Sequence, residues 1–313
     1  MDRRTTETRA TSAFEIALVV LLAALWGSSY SFVKIALDSV TPLTLTGLRV
    51  ALAALAIGAF VAWRGLAVPR DGRYWARLTL QSLINIAIPF SLYAWAQQTV
   101  ASSLAGIING STPIFVFLIT ALWTRHERAD AERLIGTTVG LLGVIAIIGL
   151  DALRGIGAHV FAEALMLVGT LCYAAAAVHG RRFHGVAPEV NAAGALAISA
   201  LVVLPLAFMV ETPLALEPTA GALLSILYLG IGCTGVTFVL YFHLVDRVGS
   251  MNTVSASYLR AGFAVLFGMA LLSEPFTWST GIGLAGVMVG VAAINGQLGR
   301  AWRALKPRAG ASD

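Results

Sequence analysis

Residues 250–274 read SMNTVSASYLRAGFAVLFGMALLSE, a stretch long and apolar enough to cross a bilayer, yet it carries Arg260 in its interior. If the helix enters the membrane near Ser250, ten residues at ~1.5 Å each set Arg260 about 15 Å deep, close to the middle of a ~30 Å hydrocarbon core. A guanidinium at that depth costs at least ~2.5 to 3.5 kcal/mol on insertion scales, so it belongs in a protein interior or a watery cavity. Two roles fit. It is either a cavity-facing cation that grips a substrate carboxylate, ideally with two parallel hydrogen bonds, or a structural arginine bonded to carbonyls or hydroxyls between helices.

The rest of the chain supports a membrane reading. Of its 313 residues 58% are hydrophobic and only 12% charged, and the mean hydropathy is +0.82, far from the average of soluble domains. The net charge of +5 does not point to nucleic acid, because the basic residues lie in short loops and at the two ends without a basic patch interleaved with aromatics. Cys172 and Cys233 both fall inside apolar runs, which argues for packing rather than a disulfide or a metal site. The apolar run that starts at Phe14 is too long for a signal-peptide core and reads as an uncleaved first helix.

Apolar windows of about 20 residues divide the chain into ten spans, near 14–37, 42–63, 74–97, 101–124, 130–150, 158–179, 189–210, 219–245, 250–273 and 277–297. With the N-terminus in the cytoplasm, seventeen of the 21 Lys and Arg fall on inner segments and Arg154 alone outside, while Lys34, Arg49 and Arg260 lie within spans. So lopsided a distribution satisfies the positive-inside rule for ten helices with both ends inside. Adding 147 to a residue number carries Trp26 to Tyr173, Lys34 to Arg181, Glu127 to Glu274, Gly136 to Gly283 and Gly143 to Gly290. Each half then holds five helices, and an odd number forces the second half upside down. The expected fold is all-α, a 5+5 inverted-topology repeat with halves at 1–150 and 151–313, whose shared site lies at the midplane seam.

Leu25-Trp26-Gly27-Ser28-Ser29, Arg49 in the second span, and Ser111-Thr112-Pro113-Ile114-Phe115 leading to Glu127-Arg128 resemble the drug/metabolite transporter superfamily of EamA type. The second half repeats the pattern as Cys172-Tyr173-Ala174 and as Ser257-Tyr258-Leu259 leading to Glu274. The order and spacing of these loose motifs, twice over, carry the resemblance from Phe14 to Gly296. It implies a ten-helix fold and export of amino acids or other small metabolites, with aromatic amino acid exporters as one branch. This chain departs from the family where a proline is common in span 9: it reads Arg260-Ala261-Gly262-Phe263-Ala264, exchanging a kink for a charge and an added glycine.

The candidate substrate-binding residues are Arg260, Tyr258, Phe263, Trp26, Tyr30, Asn85, Tyr93, Asn109, Thr112 and Tyr173. Aromatic faces can enclose a side chain or hold an ammonium, and an amide in hydrocarbon seeks a partner. Arg49, Pro89, Pro113 and Gly262 are the structural or gating candidates; each proline frees a carbonyl one turn earlier that a neighbour or cavity water must satisfy. Lys34, Arg181 and Glu163 read as interface charges near helix ends. Gly136 and Gly140, like Gly286 and Gly290, form G-x-x-x-G pairs suited to close helix contact within the subunit or in a dimer.

No motif of hydrolytic, phosphate-binding or redox enzymes is present in the sequence, and His126, His159, His179, His184 and His243 form no ligand cluster along it. The expectation is a non-enzymatic, multi-pass transporter of a bacterial-type inner membrane. It needs no cofactor and no metal and has no nucleic-acid partner; it is a monomer or weak homodimer among lipids, and it exports a small zwitterion, an aromatic or other neutral amino acid, by alternating access. A transporter for drugs, sugars or nucleotide derivatives, or a non-transporting receptor or scaffold with a collapsed midplane, stands as the alternative.

Overall fold

The computed structural model describes residues 13–124, 131–153, 157–183 and 185–294. Its described residues form ten apolar helical spans: α1 (Ala13–Ala36), α2 (Pro42–Trp63), α3 (Gly72–Ala96), α4 (Ser102–Leu122), α5 (Ala131–Leu153), α6 (Gly157–Gly180), α7 (Pro188–Val210), α8 (Ala220–Tyr241), α9 (Leu259–Leu272) and α10 (Trp278–Ile294). No strand occurs among them. The protein is therefore an all-α membrane protein, and the spans agree with the apolar windows to within a few residues, save α9, whose apolar core starts later.

Helical backbone runs without interruption from Thr237 to Leu272, which taken as one rod would fuse α8 and α9. The Tyr241 ring, however, lies 5.8 Å from that of Trp26, and the Arg260 guanidinium lies 5.9 Å from the same Trp26 ring. A straight helix would hold those two residues about 28 Å apart along its axis. The stretch must fold back between them, so α8 and α9 are two spans of opposite sense.

The packing pairs obey the inverted repeat. The helix α2 packs on α7, α5 on α10 and α4 on α9, and each of these pairs maps onto itself when the halves are exchanged. The contact of α1 with α8 becomes that of α6 with α3, and α1 with α9 becomes α6 with α4. At the α5–α10 crossing the G-x-x-x-G pairs are used within the subunit: a Cβ on Gly290 would fall 2.6 Å from the Gly136 carbonyl oxygen and 2.7 Å from the Gly140 Cα. Backbone touches backbone there, as small residues allow.

Helix ends are satisfied across the seam, as they must be where water is scarce. Glu274, just past α9, accepts the amide N–H groups of Ser102 (2.6 Å) and Ser103 (3.0 Å) at the start of α4. Gly268 leaves room for that carboxylate, since a Cβ there would meet Glu274 Oε2 at 2.5 Å. Glu211, beyond α7, accepts from the backbone of Leu43 (2.9 Å) and Thr44 (2.8 Å) at the start of α2. Lys34 does not snorkel freely: its ammonium donates to the carbonyls of Gln97 (2.7 Å) and Val100 (3.1 Å), closing the end of α3. Glu163 is also not an interface charge, for its side chain is fully buried inside α6's packing surface.

The spans that meet at the seam are irregular. Wide, π-type turns occupy Leu83–Ala87 in α3 and Tyr228–Val236 in α8. Shifting the first by the repeat offset lands it inside the second, so the distortion is shared by both halves. In α4 the α-helical geometry breaks at Ser111, between Ser102–Gly110 and Thr112–Ile119, because Pro113 has no N–H to give the Asn109 carbonyl. The same offset carries Pro113 to Arg260, which keeps its N–H, and α9 runs through that position unbroken.

Candidate functional site: a midplane cavity between the halves

Between the halves lies a cavity of about 800 Å³. A receptor or scaffold with a collapsed midplane would lack it. Helices α1 to α4, α6, α8 and α9 all contribute lining residues, so neither half encloses it alone. It runs from Val33 and Gln97 toward the outer side down to Arg133, Arg181 and Ile294 at the inner ends of α5, α6 and α10. At its outer end Gln97 is buried and donates from Nε2 to the Tyr30 carbonyl at 2.8 Å. Together with the Lys34 and Glu274 contacts, this ties α1, α3, α4 and the end of α9 together at that end, while the other end carries two arginines.

Arg260 enters from α9. Its Nη2 donates to the Asn109 carbonyl at 3.3 Å, its guanidinium lies 5.9 Å from the Trp26 ring, and its buried Nε has no hydrogen-bond partner among the described residues. The Asn109 carbonyl is the one that Pro113 leaves without its helical donor, and Thr112 Oγ1 also donates to it at 2.6 Å. Arg49 enters from α2, across the cavity seam. Its guanidinium stacks over the Phe90 ring at 4.3 Å and its Nε donates to Thr234 Oγ1 at 3.1 Å. That hydroxyl gives its own proton to the Leu229 carbonyl, 2.8 Å away and five residues earlier in the π-type turns of α8. A guanidinium carries five N–H donors, so both arginines keep donors beyond these contacts.

An aromatic wall completes the lining. Tyr30 and Tyr93 lie with ring centroids 6.2 Å apart, Tyr93 and Tyr173 likewise 6.2 Å, and the Tyr93 hydroxyl is already bonded to Thr170 at 2.7 Å. Trp95, by contrast, is about half exposed on the lipid side and packs edge-on against Phe161.

Of the residues singled out in the sequence, the cavity gathers Arg260, Trp26, Tyr30, Asn85, Tyr93, Asn109, Thr112 and Tyr173, with Arg49 and Pro113 beside them. It leaves out three. Phe263 stacks on Phe267 and lies where α9 crosses α1, with a Cβ on Gly27 falling 2.5 Å from its own. Pro89 is buried in α3 without lining the cavity. Gly262 has open space beside it, so no close approach demands a glycine there. The side chain of Tyr258 lies outside the described residues, as do Glu127, His126, His184 and the side chain of His159. Sequence reasoning missed Thr234, Phe90, Gln97 and the mouth arginines Arg133 and Arg181. The glycine-dense run Gly230-Ile231-Gly232-Cys233-Thr234-Gly235 was the available signal for the first of these. Among the described residues no group of His, Cys, Asp and Glu converges as metal ligands.

The model of the EamA-like transporter family matches residues 13–149 and again 160–296. An uncharacterized transporter of Archaeoglobus fulgidus is 27% identical over 85% of this chain and 92% of its own length. The uncharacterized inner membrane transporter YedA of Escherichia coli K12 is 27% identical over 80% of both chains. The uncharacterized transporter YoaV of Bacillus subtilis is 24% identical over 87% of this chain and 94% of its own. A solved crystal structure superposes with a TM-score of 0.63 over 90% of this chain and 98% of its own, at 20% identity, which speaks for the fold alone. These names agree on transport and carry no substrate. Two matches of one family model, covering nearly all the described helices, make this chain a member of the EamA-like transporter family.

Proposed function

We propose that this transporter exports small carboxylate-bearing metabolites, amino acids among them, from the cytoplasm by alternating access. The observation that carries the reading is Arg260: a guanidinium with uncommitted donors in a midplane cavity, a position where an intramembrane charge is functional by default. A cargo carboxylate is the natural acceptor for it, and the wall of Trp26, Tyr30, Tyr93 and Tyr173 is suited to an apolar or aromatic body. An opening at the end lined by Arg133 and Arg181 would give cytoplasmic cargo a way in. Rocking of the two halves would break the outer contacts of Glu274 and Lys34 and close the mouth at Arg133 and Arg181. The inner membrane is the proposed location, in keeping with the relative YedA.

With no carboxylate lining the cavity among the described residues, a proton relay has no carrier there, and cargo runs down its own gradient. Counterflow into proteoliposomes across a panel of amino acids, small carboxylates, organic cations and sugars tests this reading. Saturable exchange of at least one carboxylate, unaffected by an imposed pH gradient, is expected. A panel in which only cations or sugars exchange would overturn it.

A further inference from the structure

We infer that the cargo carries a second acidic group and a net negative charge, and that Arg49 receives that group while Arg260 holds the first. The inference rests on the proposed role of Arg260 and narrows the cargo from carboxylates in general to organic anions with two acidic groups. Arg49 and Arg260 enter the same cavity from opposite halves, and Tyr30 and Tyr173 line it with them. Neither guanidinium meets a carboxylate among the described residues. The partners of Arg49 are a ring and a hydroxyl, and those of Arg260 are a carbonyl and a ring. The buried carboxyl of Glu163 does not line the cavity.

Two cations in a membrane cavity whose described lining residues include no carboxylate leave a charge imbalance for the cargo to answer. A neutral zwitterion leaves that imbalance in place, and its ammonium finds no carboxylate among the lining residues while facing two like charges. A solute with two acidic groups answers both guanidiniums at once, each by charge-assisted hydrogen bonds. The second group is a carboxylate or a phosphate, since the arginine fork matches either. Arg133 and Arg181 line the same cavity at its other end.

Counterflow of matched pairs in proteoliposomes holding the full chain tests the inference: glutamate against glutamine, and O-phosphoserine against serine. Within each pair the backbone carboxylate and ammonium are constant and only the second group changes. At least one acidic member should exchange with a kcat/KM at least ~10-fold above its neutral mate, and Arg49→Gln should bring that ratio within the pair close to one, whatever it does to the absolute rate of the neutral mate. Arg49→Lys, which keeps the charge, should retain part of the preference, and the wild-type ratios stand even if the glutamine variant does not fold. Faster exchange of glutamine and serine than of their acidic mates overturns the second acidic group and leaves the carboxylate reading of Arg260 standing. Exchange of none of the four, while single carboxylates of the wider panel do exchange, overturns the second acidic group; failure of every carboxylate in that panel, with protein shown to be folded, overturns both.

Discussion

Arg260 donates to the carbonyl of Asn109, the carbonyl that Pro113 leaves without its helical donor, and Arg260 itself stands at the repeat position of Pro113. One half opens its helix with a proline, and the other half answers with a charged side chain from the equivalent place. The bond is long, 3.3 Å, and Thr112 already donates to the same oxygen at 2.6 Å. Arg260 is therefore not indispensable to that carbonyl, and the arginine's main cost and main use lie elsewhere.

Stability and transport should separate at this residue. Replacing Arg260 with leucine removes a cation from membrane depth, worth ~2.5 to 3.5 kcal/mol on insertion scales, while Thr112 keeps the Asn109 carbonyl satisfied. The purified Arg260→Leu variant is expected to melt in detergent at or above the wild-type temperature and yet fail in counterflow. A melting temperature far below wild type would mark the arginine as structural.

The α5–α10 crossing has no room for a side chain. A Cβ at Gly290 meets backbone atoms of Gly136 and Gly140, which cannot swing aside as a side-chain tip can. Gly290→Val should destabilise by ~1 to 3 kcal/mol or more, the range of overpacked cores, and lower the melting temperature by several degrees. Gly262→Ala is the control: nothing lies within 4 Å of its Cβ position, and alanine gains ~0.5 to 1 kcal/mol of helix preference, so its melting temperature should hold or rise.

Glu274 ties the end of α9 to the start of α4 through the amides of Ser102 and Ser103, and in the proposed transport cycle this contact seals the outer side. Glu274→Ala should release the start of α4 and raise the share of molecules open to the outside. In a background with Cys172 and Cys233 replaced by serine, a cysteine at position 33, which lines the outer part of the cavity, reports this. Membrane-impermeant maleimide added outside should label it several-fold faster when Glu274 is alanine; equal rates would show that the seal lies elsewhere.

Acid should loosen the joint between α7 and α2. Burial by itself pushes the Glu211 carboxyl up, but hydrogen bonds from Thr41, Leu43 and Thr44 outweigh it and hold the group below its usual value of 4.5. A carboxylate depressed in the folded state contributes stability that is present above its unfolded value and lost as pH falls through the folded one. Melting temperature should thus fall as pH drops below about 4.5, and Glu211→Gln should flatten that fall while lowering stability at neutral pH. Parallel wild-type and variant curves would remove Glu211 from the account.

Much of this architecture was written in local features. Hydropathy placed ten spans, the arginine distribution oriented them, and one offset related the halves, because a lipid environment imposes length and charge rules on each helix separately. The cavity's first-half aromatics and amides were legible too, since polar groups in an apolar span have few other uses. What escaped depends on three-dimensional crossings. Phe263 looks like a lining residue along its helix but is turned onto Gly27, and Thr234 gains its place only through the wide turns of α8. Arg181 reads as a loop charge until α6 is seen to end at the cavity mouth. Glu163 was taken for an interface carboxyl from its distance to the helix end, a coordinate that says nothing about which face it occupies.

In the proposed function Arg260 holds the acidic group of the transported solute. Initial counterflow rates against concentration, for the best carboxylate substrate, in liposomes carrying equal amounts of folded wild type, Arg260→Lys and Arg260→Leu, test it most directly. Truncating one member of a buried, hydrogen-bonded charge pair costs ~2 kcal/mol or more, so kcat/KM for the leucine variant should fall at least ~30-fold. Lysine, which keeps the charge without the fork, should fall between the two. Unchanged KM and rate in the leucine variant would contradict the claim.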